Sequence, residues 1–140
     1  MWGWLARFLP RSNHSGRLGD RGEDLAAEHL VGLGFRIVER QMRGLYGEID
    51  LIALDGETVV FIEVKTRATS AAGDPTEAVT RAKQRKITRA ALAYLKRRGW
   101  LQRRCRFDVV SILWNGPGGK PEIRHYQSAF DAEGTGQMYS

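Results

Sequence analysis

The sequence predicts a mixed α/β domain of order αβββαββ, organised around a central β-hairpin. Three observations predict it. Residues 47–67 alternate apolar and polar side chains on either side of an Asp-Gly pair. Segments before and after that stretch place apolar residues at helical spacing. Two further β-rich runs follow the second helical segment. A chain of 140 residues is most simply one domain. We divide it into an N-terminal extension (1–16), a main domain (17–130) and a tail (131–140) expected to be disordered.

The extension carries Trp2, Trp4, Leu5, Phe8 and Leu9. It suits a short amphipathic helix that docks on the core or a partner. A single Arg there gives little pull towards anionic lipid. From Asp20 to about Leu33, Leu25, Ala26, Leu30 and Leu33 share one helical stripe with Leu18, and Gly34 ends the helix. "FRIVER" (35–40) reads as a first strand. The hairpin 47–67 supplies two more, "ATSAAGDP" is loop, and a long basic helix spans Thr76 to Arg98. Its apolar face comprises Val79, Ile87, Ala90, Ala91, Tyr94 and Leu95. "RFDVVSILW" and "EIRHYQSAF" are the last strands, separated by the turn "NGPGGKP". That turn lacks the spacing of a phosphate-binding Walker loop.

Composition narrows the function. No apolar run is long enough to cross a bilayer. The first ten residues make a poor signal peptide. Cys105 is the only cysteine, which excludes an internal disulfide framework and suits a reducing compartment. We expect a cytoplasmic protein. The net charge is +6, and eleven of the 22 basic residues fall between Ala78 and Phe107, a segment with no Asp or Glu. The acids lie mainly before it. A basic block beside an acidic cluster suits a polyanion held by one and processed by the other. The three histidines are scattered without zinc spacing, and no nucleophile elbow occurs. Trp100, Trp114 and Cys105 read as core.

Asp55 and Gly56 read as the two loop residues of a type I′ turn. Leu54 then faces Glu57, Ile52 faces Val59, Asp50 faces Phe61 and Glu48 faces Glu63. Side chains alternate with period two, so Glu48, Asp50, Glu63 and Lys65 leave one face together. Asp50 and Glu63 become diagonal neighbours. The opposite face, with Ile49, Leu51, Ala53, Val60, Ile62 and Val64, is a core face. An ordinary surface sheet alternates in the same way. Here, however, the charged face also carries Ile52, Val59 and Phe61, so it is partly covered. Three crowded carboxylates repel unless a cation or proton intervenes. Hard oxygen donors suit Mg²⁺ or Mn²⁺.

Asp50 followed across a hairpin by Glu63-Val64-Lys65 resembles the core of the PD-(D/E)XK nuclease superfamily, with Ile49 in place of the leading proline. More closely, "GDRGEDLAAEHL", "GEIDLIA", "FIEVKTR", "EAV" and "RFDVV", in that order, resemble the YraN-type family of predicted endonucleases related to archaeal Holliday-junction resolvases. The match runs over residues 17–114. The resemblance implies a restriction-endonuclease-like fold and metal-dependent hydrolysis of DNA, including branched or structured DNA. Asp50, Glu63 and the Val64 carbonyl would then hold the metal, and Lys65 would orient or deprotonate the attacking water. Glu23 would match the acid supplied by the first helix, although Asp20-x-x-Glu23 also reads as a capping box. Glu48 would lie beside the metal or pair with an Arg. Arg67, Lys83, Gln84 and Lys86 are candidates for phosphate contact. The competing reading is a non-catalytic nucleic-acid-binding module. Assembly into a homodimer is left open.

Overall fold

A computed structural model describes residues 18–68, 79–114 and 119–132, with side chains from Arg21 onward. The expected N-terminal helix, most of the 68–75 loop, the "NGPG" turn and residues 133–140 of the tail lie outside them. The elements are α1 (Leu18–Gly32), β1 (Arg36–Gly44), β2 (Gly47–Asp55), β3 (Thr58–Arg67), α2 (Arg81–Arg98), β4 (Cys105–Leu113) and β5 (Glu122–Phe130). Among the described residues this is a mixed α/β arrangement of two helices and five strands. The strands form one sheet in the order β1-β2-β3-β4-β5. Only β3 and β4 run parallel; the other neighbours are antiparallel. Parallel neighbours need a long crossover, and α2 lies within it.

The helices are associated with two separate halves of the core. Ala26, Ala27 and Leu30 of α1 pack with Leu51, Ala53, Val60, Ile62, Val110 and Ile112. Ile87, Ala90, Ala91, Tyr94 and Leu95 of α2 pack with Ile52, Val59, Phe61, Phe107 and Val109. Alternate residues of β2 and β3 thus enter different clusters, and neither face of the hairpin is left to water. A charge placed there is desolvated, as the mixture of Glu63 with Phe61 and Val59 implied.

The hairpin register differs from the expected one. Asp55 pairs with Thr58 and Leu54 with Val59, so Gly56 and Glu57 are the loop residues, with Gly56 at φ 62°. The glycine still takes the left-handed position that the turn demands. The pairing slips by two residues, which preserves the period-two faces. It carries Asp50 from a diagonal position to one directly opposite Glu63, one step beyond the last regular pair, Leu51 with Ile62. Ile49 is a second correction. It packs in the α2-side cluster, not with Leu51. Gln41, across from Asp50, stands at φ 50°, and regular β1–β2 pairing is interrupted there.

Both helices begin elsewhere than expected. α2 starts at Arg81, where the Thr80 side chain accepts a hydrogen bond from the Lys83 amide at 3.2 Å. Val79 is buried just before the helix instead of on its face. Gly99, in the left-handed conformation, closes the other end. α1 starts at Leu18, so Asp20 is inside the helix and cannot be its N-cap. The capping-box reading of Glu23 fails with it. Leu33, beyond the helix end, is exposed rather than part of the buried stripe.

A polar network lies among the strands. Asp108, fully buried, accepts from Arg106 at 3.0 Å and from the Ser128 amide at 3.0 Å, and it bonds His125 Nε2 at 2.7 Å. Arg106 also reaches Asp55 at 3.0 Å. His125 is therefore a structural residue. Trp114 packs at the edge of the α1-side core, under the Arg21 guanidinium.

Candidate active site

Asp50 and Glu63 sit where β2 and β3 leave their regular pairing, between the two helices. Asp50 Oδ2 accepts a hydrogen bond from the Val64 amide at 2.8 Å. Glu63, buried in the sheet, takes an ion pair from Lys83 of α2 and has Lys65 Nζ at 3.6 Å on the same oxygen. Four predicted residues, Asp50, Glu63, Val64 and Lys65, thus form one cluster. Lys83 joins it as a partner of Glu63, a role that the sequence pattern did not separate from phosphate contact.

Burial dominates the electrostatics of the cluster. Burial pushes the Asp50 carboxyl up to about 8, reinforced by the charges of Glu63 and Glu23 and opposed by the Val64 hydrogen bond and Lys83. Burial, then neighbouring Lys83, holds Lys65 below its ordinary value. Burial also acts to lower Lys83, but its bond to Glu63 outweighs this and the group is raised. One lysine is therefore fixed as a cation while the other is made easier to deprotonate. That contrast is the usual basis for dividing charge stabilisation from proton transfer.

Glu23 approaches from α1. Its carboxylate accepts from Gln41 Nε2 at 3.0 Å, and Arg40 Nε lies 4.0 Å away. Arg40 is also paired with Asp24. Glu23 contributes to the field at Asp50. Gln41 and Arg40 are site neighbours that the sequence reading missed, and no periodic signal marks them. The backbone at Gln41 is left-handed.

The remaining candidates disperse. Glu48 pairs with exposed Arg43 at 3.2 Å, the second of its two expected placements. Gln84 spends its side-chain amide on the Val79 carbonyl at 2.8 Å. Lys86 is exposed on α2, and Arg67 ends β3, its carbonyl accepting from the Trp114 amide.

A divalent cation fits the donor set by its chemistry. Mg²⁺ is commonly held by one or two carboxylates, with waters completing its shell. Asp50 and Glu63 supply two such groups, and burial, then the charge of Glu63, raises the Asp50 carboxyl. Among the described residues, no group of three or more His, Cys, Asp or Glu is arranged to hold a metal.

The fold and cluster define a mixed α/β protein with an acid pair and two lysines between its helices. Residues 22–112 match the uncharacterised protein family UPF0102, and the chain belongs to that family. A UPF0102 protein of Geobacter sulfurreducens is 50% identical over 120 residues, covering 86% of this chain and 93% of the relative. One from Symbiobacterium thermophilum is 51% identical over 118 residues, 84% of this chain and 99% of its own. One from Rhodococcus jostii is 49% identical over 117 residues, 84% and 98% respectively. The matched region contains the whole cluster. No helix among the described residues is long and apolar enough to cross a membrane.

Proposed function

We propose that this protein is a metal-dependent endonuclease that hydrolyses DNA phosphodiester bonds. The observation that carries the reading is the buried Asp50 carboxyl, raised to about 8 beside Glu63, with Lys65 and Lys83 converging on that same Glu63. An ordinary structural ion pair holds its carboxylate ionised; here burial and like charge oppose ionisation instead. Such a site is prepared for an added cation. The αβββαββ order and the acid pair on its central hairpin support a restriction-endonuclease-like fold of the PD-(D/E)XK kind. A cytoplasmic setting suits the buried thiol of Cys105.

Asp50, Glu63 and the Val64 carbonyl would hold Mg²⁺ or Mn²⁺. The bound metal would supply a polarised phosphoryl oxygen and a water of lowered pKa. Lys65, more easily deprotonated than an ordinary lysine, takes or shares the proton of the attacking water at Nζ. Lys83 keeps its charge, and its ammonium stabilises the negative charge that builds on the phosphoryl oxygens. Glu23, anchored by Gln41, holds the negative field on the α1 side. Arg67, Arg85 and Lys86 bind the backbone without reading sequence.

The ion pairs that Glu63 makes with both lysines favour one alternative, a nucleic-acid-binding module in which the cluster only braces the strands. Incubation with linear, nicked, flapped and branched DNA in Mg²⁺ or Mn²⁺ decides between them. Cleavage that Asp50→Asn abolishes, with DNA affinity retained, supports the enzyme. Tight binding with no product on any substrate leaves the binding module.

A further inference from the structure

A second feature lies on the α2 side of the sheet, at the opposite end of α2 from Lys83. It is a cleft of ≈ 400 Å³ between the start of β1, the end of β2 and the segment after α2. Arg36, Arg98 and Arg103 line it together with Leu54, Val38 and Trp100. The three arginines come from β1 and from the end of α2 with the segment just after it, and among the described residues no acid lines the cleft. Among the described residues none of the three makes an ion pair. The acid whose field reaches neighbouring Tyr94 is Glu39 of β1.

Three like charges do not gather without something that holds them. Trp100 holds two of them. The Arg98 guanidinium lies 4.2 Å from the indole centroid and that of Arg103 4.6 Å. Arg98 also donates to the Tyr94 hydroxyl at 3.2 Å. Trp100 is itself fixed edge-on against Tyr94. The indole is occupied by guanidinium groups, so it orients donors rather than offering a stacking platform for a base. Planar guanidinium forks with no carboxylate partner among the described residues, two of them held on an indole, match the bidentate geometry of a phosphate. The helix terminus accounts for part of this charge, because cations in a last turn offset the helix dipole. It does not account for Arg36, which comes from β1, or for Arg103, which lies beyond the helix.

We propose that this cleft binds a backbone phosphate of the same DNA duplex whose scissile bond reaches Asp50 and Glu63. This rests on the DNA-cleaving reading and adds a positioning contact to it. Four residues of extended β2 separate Asp50 from Leu54, about 14 Å. Fifteen residues of α2 separate Lys83 from Arg98, about 22 Å. Phosphates of one strand recur every ~3.4 Å along the duplex axis. The second contact therefore falls about four to seven base pairs from the cut. Two anchors at that separation fix the direction in which the duplex crosses the site, which one acid cluster cannot do.

The test replaces Arg36 and Arg103 by Gln, against a matched control, Arg97→Gln with Arg104→Gln. The control removes the same charge from exposed positions that do not line the cleft. Binding of a labelled 20-base-pair duplex is followed by anisotropy across a salt series, with Asp50→Asn in each chain to prevent cutting. The cleft variant should bind about tenfold more weakly at 0.1 M salt, with a salt slope shallower by about one or two. The control should stay within about twofold of the parent. With Asp50 restored, the cleft variant should raise KM and leave kcat unchanged. Equal losses in the two variants, or an unchanged slope in the cleft variant, overturn the proposal. Failure of the two readings separates cleanly. A parent that cuts DNA while the cleft variant binds normally sinks the cleft alone. A parent that binds through the cleft but cuts nothing sinks the nuclease alone.

Discussion

Replacing Asp50 by Asn should make the metal-free protein more stable at neutral and alkaline pH. The carboxyl is pushed from 3.8 to about 8, so the folded state resists its ionisation while the unfolded state does not. Its contribution is complete below the unfolded pKa near 3.8 and is lost as pH rises towards about 8. At pH 7 the unfolded chain has released a proton that the folded chain still holds. At ~1.36 kcal/mol per pKa unit, that difference costs the folded wild type about 4 kcal/mol. Asn has no charge to bury, keeps the volume, and can still accept the Val64 hydrogen bond. Its amide carries a desolvation cost of about 1–3 kcal/mol, leaving a net gain of about 1–3 kcal/mol. For a chain of this size the gain corresponds to a rise in Tm of several degrees, at ~3 °C per kcal/mol. Thermal melts in chelator between pH 5 and pH 9 measure it. Wild type should lose stability across that range relative to Asp50→Asn, and the two should converge at the acidic end. Millimolar Mn²⁺ should close the gap from the other side, because a hundredfold excess over Kd stabilises the folded state by about 2.7 kcal/mol. A fall of ~3–5 kcal/mol in Asp50→Asn at pH 8, as expected for a broken buried ion pair, would refute this reasoning.

Lys65→Ala should retain the Mn²⁺-dependent rise in Tm and lose about 10²-fold or more in cleavage rate, the scale of a removed proton-transfer group; single-turnover kinetics at saturating metal measures this. Glu23→Gln should leave Tm within about 2 °C, since Gln can still accept from Gln41, and should slow cleavage or raise the metal concentration required. Arg85→Glu with Lys86→Glu, both exposed on α2, should weaken all duplexes by similar factors and flatten the salt dependence, as filter binding at several ionic strengths would show. Gly22→Ala should cost about 1–3 kcal/mol, because an added Cβ would lie 2.0 Å from Thr66 Oγ1. Thr66→Ala in the same chain should recover part of that loss in a denaturant titration.

Much of this architecture was readable because its signals are local. The alternation in 47–67 assigned the sides of Asp50, Glu63 and Lys65 correctly even though the turn was misplaced by one residue, since moving a two-residue loop by one position shifts the ladder by two and keeps its parity. The same pattern misassigned Ile49 because it assumes regular pairing, and pairing is interrupted opposite Gln41. α2 was placed one turn too early. Thr76 and Thr80 are both plausible caps in sequence, and only the hydrogen bond from the Lys83 amide chooses between them. Glu48 was drawn towards the site because periodicity reports a face and not a position along the strand. The bonds of Glu23 to Gln41 and of Lys83 to Glu63 join elements distant in sequence, and the arginine cleft assembles β1, β2 and the chain after α2. Neither leaves a repeating trace in the primary structure.

Cys105 makes the molecule a recorder of its own openings. The thiol is the only one in the chain, is buried against the α2-side core opposite Val59, and is pushed up to about 11 by that burial. A thiol in this state does not meet an alkylating reagent until the sheet parts locally. Its labelling rate therefore counts excursions in which β4 separates from β3, the strand that also carries Glu63 and Lys65. Any ligand that fastens β3 to β2 through the acid pair must lengthen the interval between those excursions. Mass-resolved labelling would follow this at low protein concentration, with no chromophore, no substrate and no turnover.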